Sequence, residues 1–305
     1  MRILITGITG YIGSHLVRAL LPEHQVYGLV REPLNDSYIR DIRVRLRLLF
    51  YDGSWESMER AVQESQPDLT YHLATYYTGE HGAEQTPKLI ESNIELGAYL
   101  LEALSSLENA TLVYASTVMV HYQGEAYRPL NLYAATKKAF SDLLAYYTDV
   151  GSIRAVTLVL SDSYGPDDQR PKVLNLVRSA LYKGKNIPLT SGEQDYDAVY
   201  IDDVVHAFRI AGEQLIKLKQ WSNEFFQVYS LNPPTLRKIV EELLKISSLD
   251  FQPGWGDRPH PTREIFKAVR VFPRLPGWEP KISVEEGLHR MWHHNKTDTE
   301  YNLLL

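Results

Sequence analysis

Tyr133 and Lys137 stand four residues apart in "NLYAATKK". On a helix that spacing puts both side chains on one face. A free phenol has a pKa of about 10, and a nearby ammonium favours the phenolate and lowers that value. A tyrosine tuned in this way can pass a proton to or from a carbinol oxygen while hydride moves to or from a nicotinamide. Tyr-x-x-x-Lys also recurs by chance, and a polar cap at Asn131 before an alanine pair makes a plain helix start. Context decides. "YAST" closes an apolar run just ahead and offers Ser116 or Thr117 as a hydroxyl to hold the same oxygen.

Nearer the N-terminus lies "GITGYIG". Gly7 permits a tight turn, Gly10 a close approach of backbone amides to a pyrophosphate, and Gly13 close packing of helix on strand. Thr9, Tyr11 and Ile12 fill the same loop and complete the candidate cofactor contacts. The next apolar run ends "GLVRE". An acid that would hold a ribose diol is replaced there by Val30, and Arg31 follows. A guanidinium suits a 2′-phosphate, so NADP(H) is expected over NAD(H). The alternative has Arg31 solvated and Glu32 on the diol. Asp52 ends the following run, as an acceptor for an adenine amino group or as a turn former.

The elements that must carry these residues alternate. "RILIT", "QVYGLV", "VRLRLLFYD" (Val44–Asp52), "PDLTYHLA", "ATLVYAST" and "RAVTLVL" read as strands. Helical periods stand between most of them, and "PKLIESNIELGAYLLEALSSL" (Pro87–Leu107) reads as one long helix. Unalternated apolar strands joined by helices predict an α/β fold, a doubly wound parallel sheet of the Rossmann type. The Gly/Pro/Asp-rich stretch Ser161–Pro171 breaks the pattern. The division predicted is a cofactor domain over 1–165 and a smaller C-terminal α/β substrate lobe over 166–305, with 197–212 crossing back. "EFFQVYS" is assigned to that lobe, and the tail "HHNKTDTEYNLLL" is expected to be loosely ordered.

Composition narrows the classes. The 305 residues suffice for two domains. A net charge of −6 argues against a nucleic-acid or anionic-membrane surface. There is no cysteine, which excludes disulfides, thiolate zinc sites and a cysteine nucleophile, and fits a cytoplasmic setting. The ten histidines are scattered, with His293 and His294 in the tail, so no metal site is expected. His15 reads as a helix-face residue and His121 as a surface loop residue. No apolar run reaches the length of a membrane span.

At this point the chain resembles a family, the extended short-chain dehydrogenase/reductases that act on nucleotide sugars. The resemblance rests on "GITGYIG", "YHLA", "ESNIELG", "YAST", "YAATK", "YGPDD", "YIDDVVHAF" and "GWEPKISVEEGL". It implies a bound NAD(H) or NADP(H), a nucleoside-diphosphate-sugar substrate and a Thr–Tyr–Lys triad. By position Thr117 takes the hydroxyl role, Tyr133 is the acid/base, and Lys137 binds the nicotinamide ribose and tunes Tyr133. Ala74 would line the cofactor path, and Asn93 is a packing asparagine. The 4,6-dehydratase members follow the threonine with Asp-Glu. Val118 and Met119 stand here instead and cannot transfer those protons, so dehydration is not expected, and Val118 becomes a substrate-lining position. The epimerase-reductases use a cysteine, which this chain lacks. Reduction of a 4-keto sugar, as in the enzymes of abequose and paratose type, is expected ahead of 4-epimerization. The family's diphosphate arginine corresponds to Tyr196, beside Asp195, so Arg170, Lys172 and Arg263 are the candidate phosphate ligands. The helices at 87–107 and 133–147 are those the family pairs into a homodimeric four-helix bundle.

Overall fold

The computed structural model describes residues 1–218 and 221–294. The chain divides into two compact units. The first comprises Met1–Leu160, Val204–Val228 and Arg270–Trp278, and the second Ser161–Asp203, Tyr229–Val269 and the residues from Glu279 on.

The first unit opens with β1 (Arg2–Thr6), α1 (Tyr11–Leu20), β2 (Gln25–Val30), β3 (Arg47–Phe50) and α2 (Trp55–Ser65). It continues with β4 (Leu69–His72), α3 (Gln85–Ile90), α4 (Leu96–Ser105), β5 (Ala110–Thr117), α5 (Leu132–Asp149) and β6 (Ile153–Leu160). Every residue of β4 is buried, as are four of the five in β1, so neither strand alternates. That is the signature of a parallel strand covered on both faces. α1 turns Leu16, Val17 and Leu20 to the sheet at helical spacing. Leu4, Met58, Leu100, Leu104, Leu112, Tyr114, Phe140 and Leu144 belong to one buried cluster. Each large apolar side chain so buried contributes about 1.5–3 kcal/mol.

In the second unit β7 (Asp162–Tyr164) is followed by α6 (Val173–Lys183), β8 (Pro188–Leu189) and β9 (Ala198–Tyr200). α7 (Ile201–Lys217) begins there, and from Val204 on it belongs to the first unit, as does β10 (Asn223–Val228). α8 (Leu236–Ser247), β11 (Gly254–Trp255) and α9 (Val284–His293) complete the second unit. There β7 pairs with β9 and β8 with β11, both parallel.

The main sheet has the order β10-β6-β5-β4-β1-β2-β3, with every neighbouring pair parallel. The chain winds one way from β1 to β3 and the other way from β4 on. The crevice at such a reversal opens outside the carboxyl ends of β1 and β4.

Three expectations need correction. β3 is Arg47–Phe50 rather than Val44–Asp52, and Arg43–Arg45 form a 3₁₀ turn. Val44 is 94 % exposed, so its apolar side chain has no packing to draw it into a strand. The expected long helix runs continuously from Gln85 to Ser105, with one wide π-type turn at Glu91–Glu95 inside it, between α3 and α4. The strand in "EFFQVYS" lies in the main sheet, where β10 pairs with β6 from Asn223↔Ala155 to Val228↔Leu160. The first unit ends at Leu160, before the predicted 165, and takes back Arg270–Trp278. The expectation for the tail covers 293–305, of which 295–305 lie outside the described residues. Among the described residues no helix is long and apolar enough to cross a membrane, and no group of three or more His, Asp or Glu could hold a metal ion.

Candidate active site

The loop from β1 to α1 is built around two contacts that exclude a side chain. Gly7 has φ +74°, and a Cβ there would lie 2.6 Å from the Ala74 amide nitrogen. A Cβ on Gly13 would enter the Gly7 carbonyl oxygen. The Gly10 amide donates to the Gly7 carbonyl at 2.9 Å, closing the turn. Gly10 is the exposed cap of α1, and no side chain caps that helix. Its first-turn amides and dipole therefore suit an anion, so the loop fits a pyrophosphate. Thr9 and Ile12 are half-buried beside it. The Tyr11 ring is buried against His15 and Tyr38, so only its backbone can serve the loop.

The ends of β1 and β4 are held together by one hydroxyl. Thr6 Oγ1 lies 2.8 Å from His72 Nδ1 and accepts from the Ala74 amide at 3.1 Å. His72 is buried between Tyr114 and Phe140. Burial, and then the charge of Lys137, push its pKa down to about 3, so it is neutral.

At the end of β2, Arg31 donates from Nη1 to Ser92 Oγ at 3.1 Å. β2 and β4 flank β1, and Ser92 lies in the π turn of the crossover after β4. Asp52 is an exposed turn residue. Its Oδ1 accepts from the Ser54 amide at 2.9 Å and from Ser54 Oγ at 2.6 Å, and these bonds hold the carboxyl at about 2. Ser54 in turn caps α2. Of the two readings of Asp52, the structure displays the turn former.

The triad residues come from two elements. Thr117 ends β5, and its Oγ1 accepts from the Met119 amide at 3.3 Å, capping the 3₁₀ turn Val118–Val120. No described protein group accepts its hydroxyl hydrogen. Ser116, the neighbour in the strand, projects to the opposite face. Val118 and Met119 are half-buried and carry no ionisable group. α5 is capped by Asn131, whose Oδ1 accepts from the Ala134 amide at 2.9 Å. That cap places Tyr133 in the first turn and Lys137 one turn later.

Lys137 is only 3 % exposed. Among the described residues no carboxylate pairs with it. Its Nζ sits 4.4 Å from the centre of the Tyr114 ring, a cation–π contact. Burial alone lowers its pKa to about 7. A buried lysine without a counter-ion is costly, and such groups concentrate at functional sites. The hydroxyls of a nucleotide ribose would satisfy its donors, which fits the predicted cofactor.

Three residues lay beyond sequence reasoning. The Tyr77 ring meets the Tyr133 ring edge-on, at 4.9 Å and 85°. Ser92 partners Arg31, and His72 ties Thr6. Each is recruited by tertiary contact, and no local spacing announces it. Asn93 does more than pack. Its Oδ1 accepts from Thr75 Oγ1 at 2.9 Å and the Tyr76 amide at 2.8 Å, while Nδ2 donates to the Tyr76 carbonyl at 3.0 Å and Thr136 Oγ1 at 2.9 Å. His121 is buried, with Nδ1 3.2 Å from the Glu125 carbonyl and its ring against Phe272, so it is no surface residue.

In the second unit the candidate phosphate ligands divide. Arg170 holds Asp168 through Nε and Nη2, both at 2.7 Å, and Asp168 is buried. Lys172 pairs with Asp162, which also accepts from the Tyr196 hydroxyl at 3.0 Å. Both cations already have carboxylate partners. Arg263 is exposed.

The chain is similar to known proteins over most of its length. The sequence pattern of the NAD dependent epimerase/dehydratase family matches residues 3–221. A CDP-abequose synthase of Yersinia pseudotuberculosis is 27 % identical over 260 residues, covering 84 % of this chain and 88 % of that protein. A UDP-glucuronate 4-epimerase of Thermodesulfobacterium geofontis is 26 % identical and covers 97 % of both chains. The crystal structure of the Thermus thermophilus UDP-glucose 4-epimerase complex with NAD superposes with a TM-score of 0.80 at 25 % identity, covering 96 % of this chain and 98 % of that one.

Proposed function

Because the chain belongs to the NAD dependent epimerase/dehydratase family, we propose that it is an NADPH-dependent reductase of the 4-keto group of a nucleoside-diphosphate 6-deoxyhexose. The observation that carries the reading is the buried, uncompensated Lys137 one turn below Tyr133, near enough to His72 for its charge to lower that histidine's pKa. When bound, the nicotinamide supplies hydride to the carbonyl carbon. Tyr133 gives its phenolic proton to the carbonyl oxygen, so that a secondary alcohol forms. Thr117 donates its unspent hydroxyl hydrogen to the same oxygen and holds it in place. Lys137, when protonated, stabilises the phenolate left on Tyr133. Val118 and Met119 can neither remove nor deliver the protons of a dehydration. Arg31, backed by Ser92, supports a 2′-phosphate and hence a reductant drawn from the NADPH pool. α5 exposes Tyr146, and Val150 follows it, which supports pairing of α4 and α5 into a homodimeric bundle, in a protein we assign to the cytoplasm.

A second reading has an observation of its own. The relatives named as 4-epimerases cover nearly the whole chain, and one solved neighbour holds NAD. A 4-epimerase needs the same three residues and retains its nicotinamide. The deciding experiment offers CDP-, dTDP-, UDP- and GDP-linked 4-keto-6-deoxy sugars with NADPH or NADH, follows oxidation of the cofactor, and identifies the product by NMR. Stoichiometric NADPH consumption supports reduction. Turnover of 4-hydroxy sugars with no added reductant overturns it in favour of epimerization. Tyr133→Phe is expected to lower turnover at least ~100-fold with cofactor binding intact. Near-normal turnover in that variant removes the mechanism.

A further inference from the structure

We propose that Tyr77 is a positioning and specificity residue: its ring braces Tyr133, and its open side receives the apolar face of the pyranose. The proposal rests on the assignment of Tyr133 as acid/base. Tyr77 sits in the loop that leaves the carboxyl end of β4, beside the crevice. Its ring packs edge-on against that of Tyr133, yet the residue is 45 % exposed. Tyr133 is 9 % exposed, and the Tyr77 ring is one of the groups that cover its ring.

This loop is not held by chance packing. Both backbone groups of Tyr76 are bound by the buried Asn93 amide, one residue before Tyr77. The same amide binds Thr136, whose hydroxyl donates to the Tyr133 carbonyl at 2.8 Å. One side chain therefore sets Tyr77 and the first turn of α5 against each other. The wide turn at Glu91–Glu95 is what carries Asn93 into that position. Edge-to-face aromatic pairs fix ring orientation at modest energy, and a small misplacement of a reacting group costs rate heavily. A half-open aromatic ring beside a sugar site also offers a surface for C–H groups. A 6-deoxy sugar presents a methyl where a hexose presents a hydroxymethyl, so the ring favours the deoxy substrate.

The test compares Tyr77→Ala and Tyr77→Phe with the wild type, measuring NADPH affinity, kcat and KM for paired 6-deoxy and 6-hydroxy 4-keto sugar nucleotides. In Tyr77→Ala we expect NADPH affinity to stay unchanged, KM for the 6-deoxy sugar to rise roughly 10-fold, kcat to fall roughly 10-fold, and the preference for the 6-deoxy sugar to disappear. Tyr77→Phe restores all three, because the ring and not the hydroxyl is required. Wild-type kinetics in Tyr77→Ala overturn the proposal, and so does a Tyr77→Phe as impaired as Tyr77→Ala. Should Tyr77→Ala fail to fold, Tyr77→Leu fills the space without the ring and is held to the same outcomes. Tyr133→Phe run alongside separates the two failures. Full activity there sinks the acid/base assignment, whereas an inactive Tyr133→Phe beside a normal Tyr77→Ala sinks only the role of Tyr77.

Discussion

Replacing Lys137 by Met should stabilise the cofactor-free protein at neutral pH and do so less and less as the pH rises. The side chain is 3 % exposed, and no described carboxylate offsets its charge. Burial takes its pKa from 10.5 to about 7. A displacement of that size corresponds to about 5 kcal/mol, held against the folded state wherever the lysine is charged in both states. The sign follows from proton counts. Between pH 7 and 10.5 the unfolded chain carries a proton on this lysine that the folded chain lacks, so wild-type stability climbs with pH through that window. At pH 7 and below, the whole penalty is present. Methionine keeps much of the stem volume and has nothing to titrate. The stability difference between variant and wild type should therefore be largest near neutrality and shrink by up to ~1.4 kcal/mol per pH unit above it. Urea unfolding of both proteins from about pH 6 to about pH 9.5 measures the difference directly. Titrations of groups that do not sense Lys137 cancel in it, and His72, whose pKa burial and then Lys137 hold at about 3, titrates chiefly below this window. Parallel stability curves would refute the reasoning, because they would mean that the lysine has the same pKa folded and unfolded. The variant should also be nearly inactive, so that stability and activity move in opposite directions.

Two further outcomes are expected. Arg31→Ala should weaken NADPH by roughly 10- to 100-fold, the scale of a charge-assisted hydrogen bond, and NADH much less; equal losses in binding titrations would remove the case for a 2′-phosphate site. Gly13→Ala pushes a methyl into the Gly7 carbonyl and should abolish cofactor binding while costing about 1–3 kcal/mol of stability; normal binding by fluorescence titration would show that the loop can relax.

The legible parts of this chain were the local ones. β1, β2 and β5 lie where their apolar runs begin and end, because each is buried on both faces and needs no particular neighbour to declare itself. The glycine loop and the Tyr133–Lys137 pair were readable for a similar reason, since their geometry is set within one turn or one helix. β3 was overextended because Val44 is apolar yet solvent-exposed, and letters do not reveal exposure. β10 was misplaced because strand membership depends on a partner, and its partner β6 lies far back in the sequence. The charges of Arg170 and Lys172 were visible. Their engagement by Asp168 and Asp162 was not, because an ion pair is a property of folded distance. Tyr77 could not have been singled out among twenty tyrosines without its contact to Tyr133.

The position of β10 also orders events during synthesis. When Leu160 leaves the ribosome six strands of the main sheet exist, but β6 has no outer neighbour. Its completing strand arrives only with Asn223–Val228, after the first stretch of the second unit, and Arg270–Trp278 arrive later still. For that interval the nascent chain carries an unpaired parallel edge, the kind of surface that recruits a wrong partner. The two units therefore cannot mature as beads on a string. The first is sealed only once much of the second has been made, and no single cut separates them into two whole pieces.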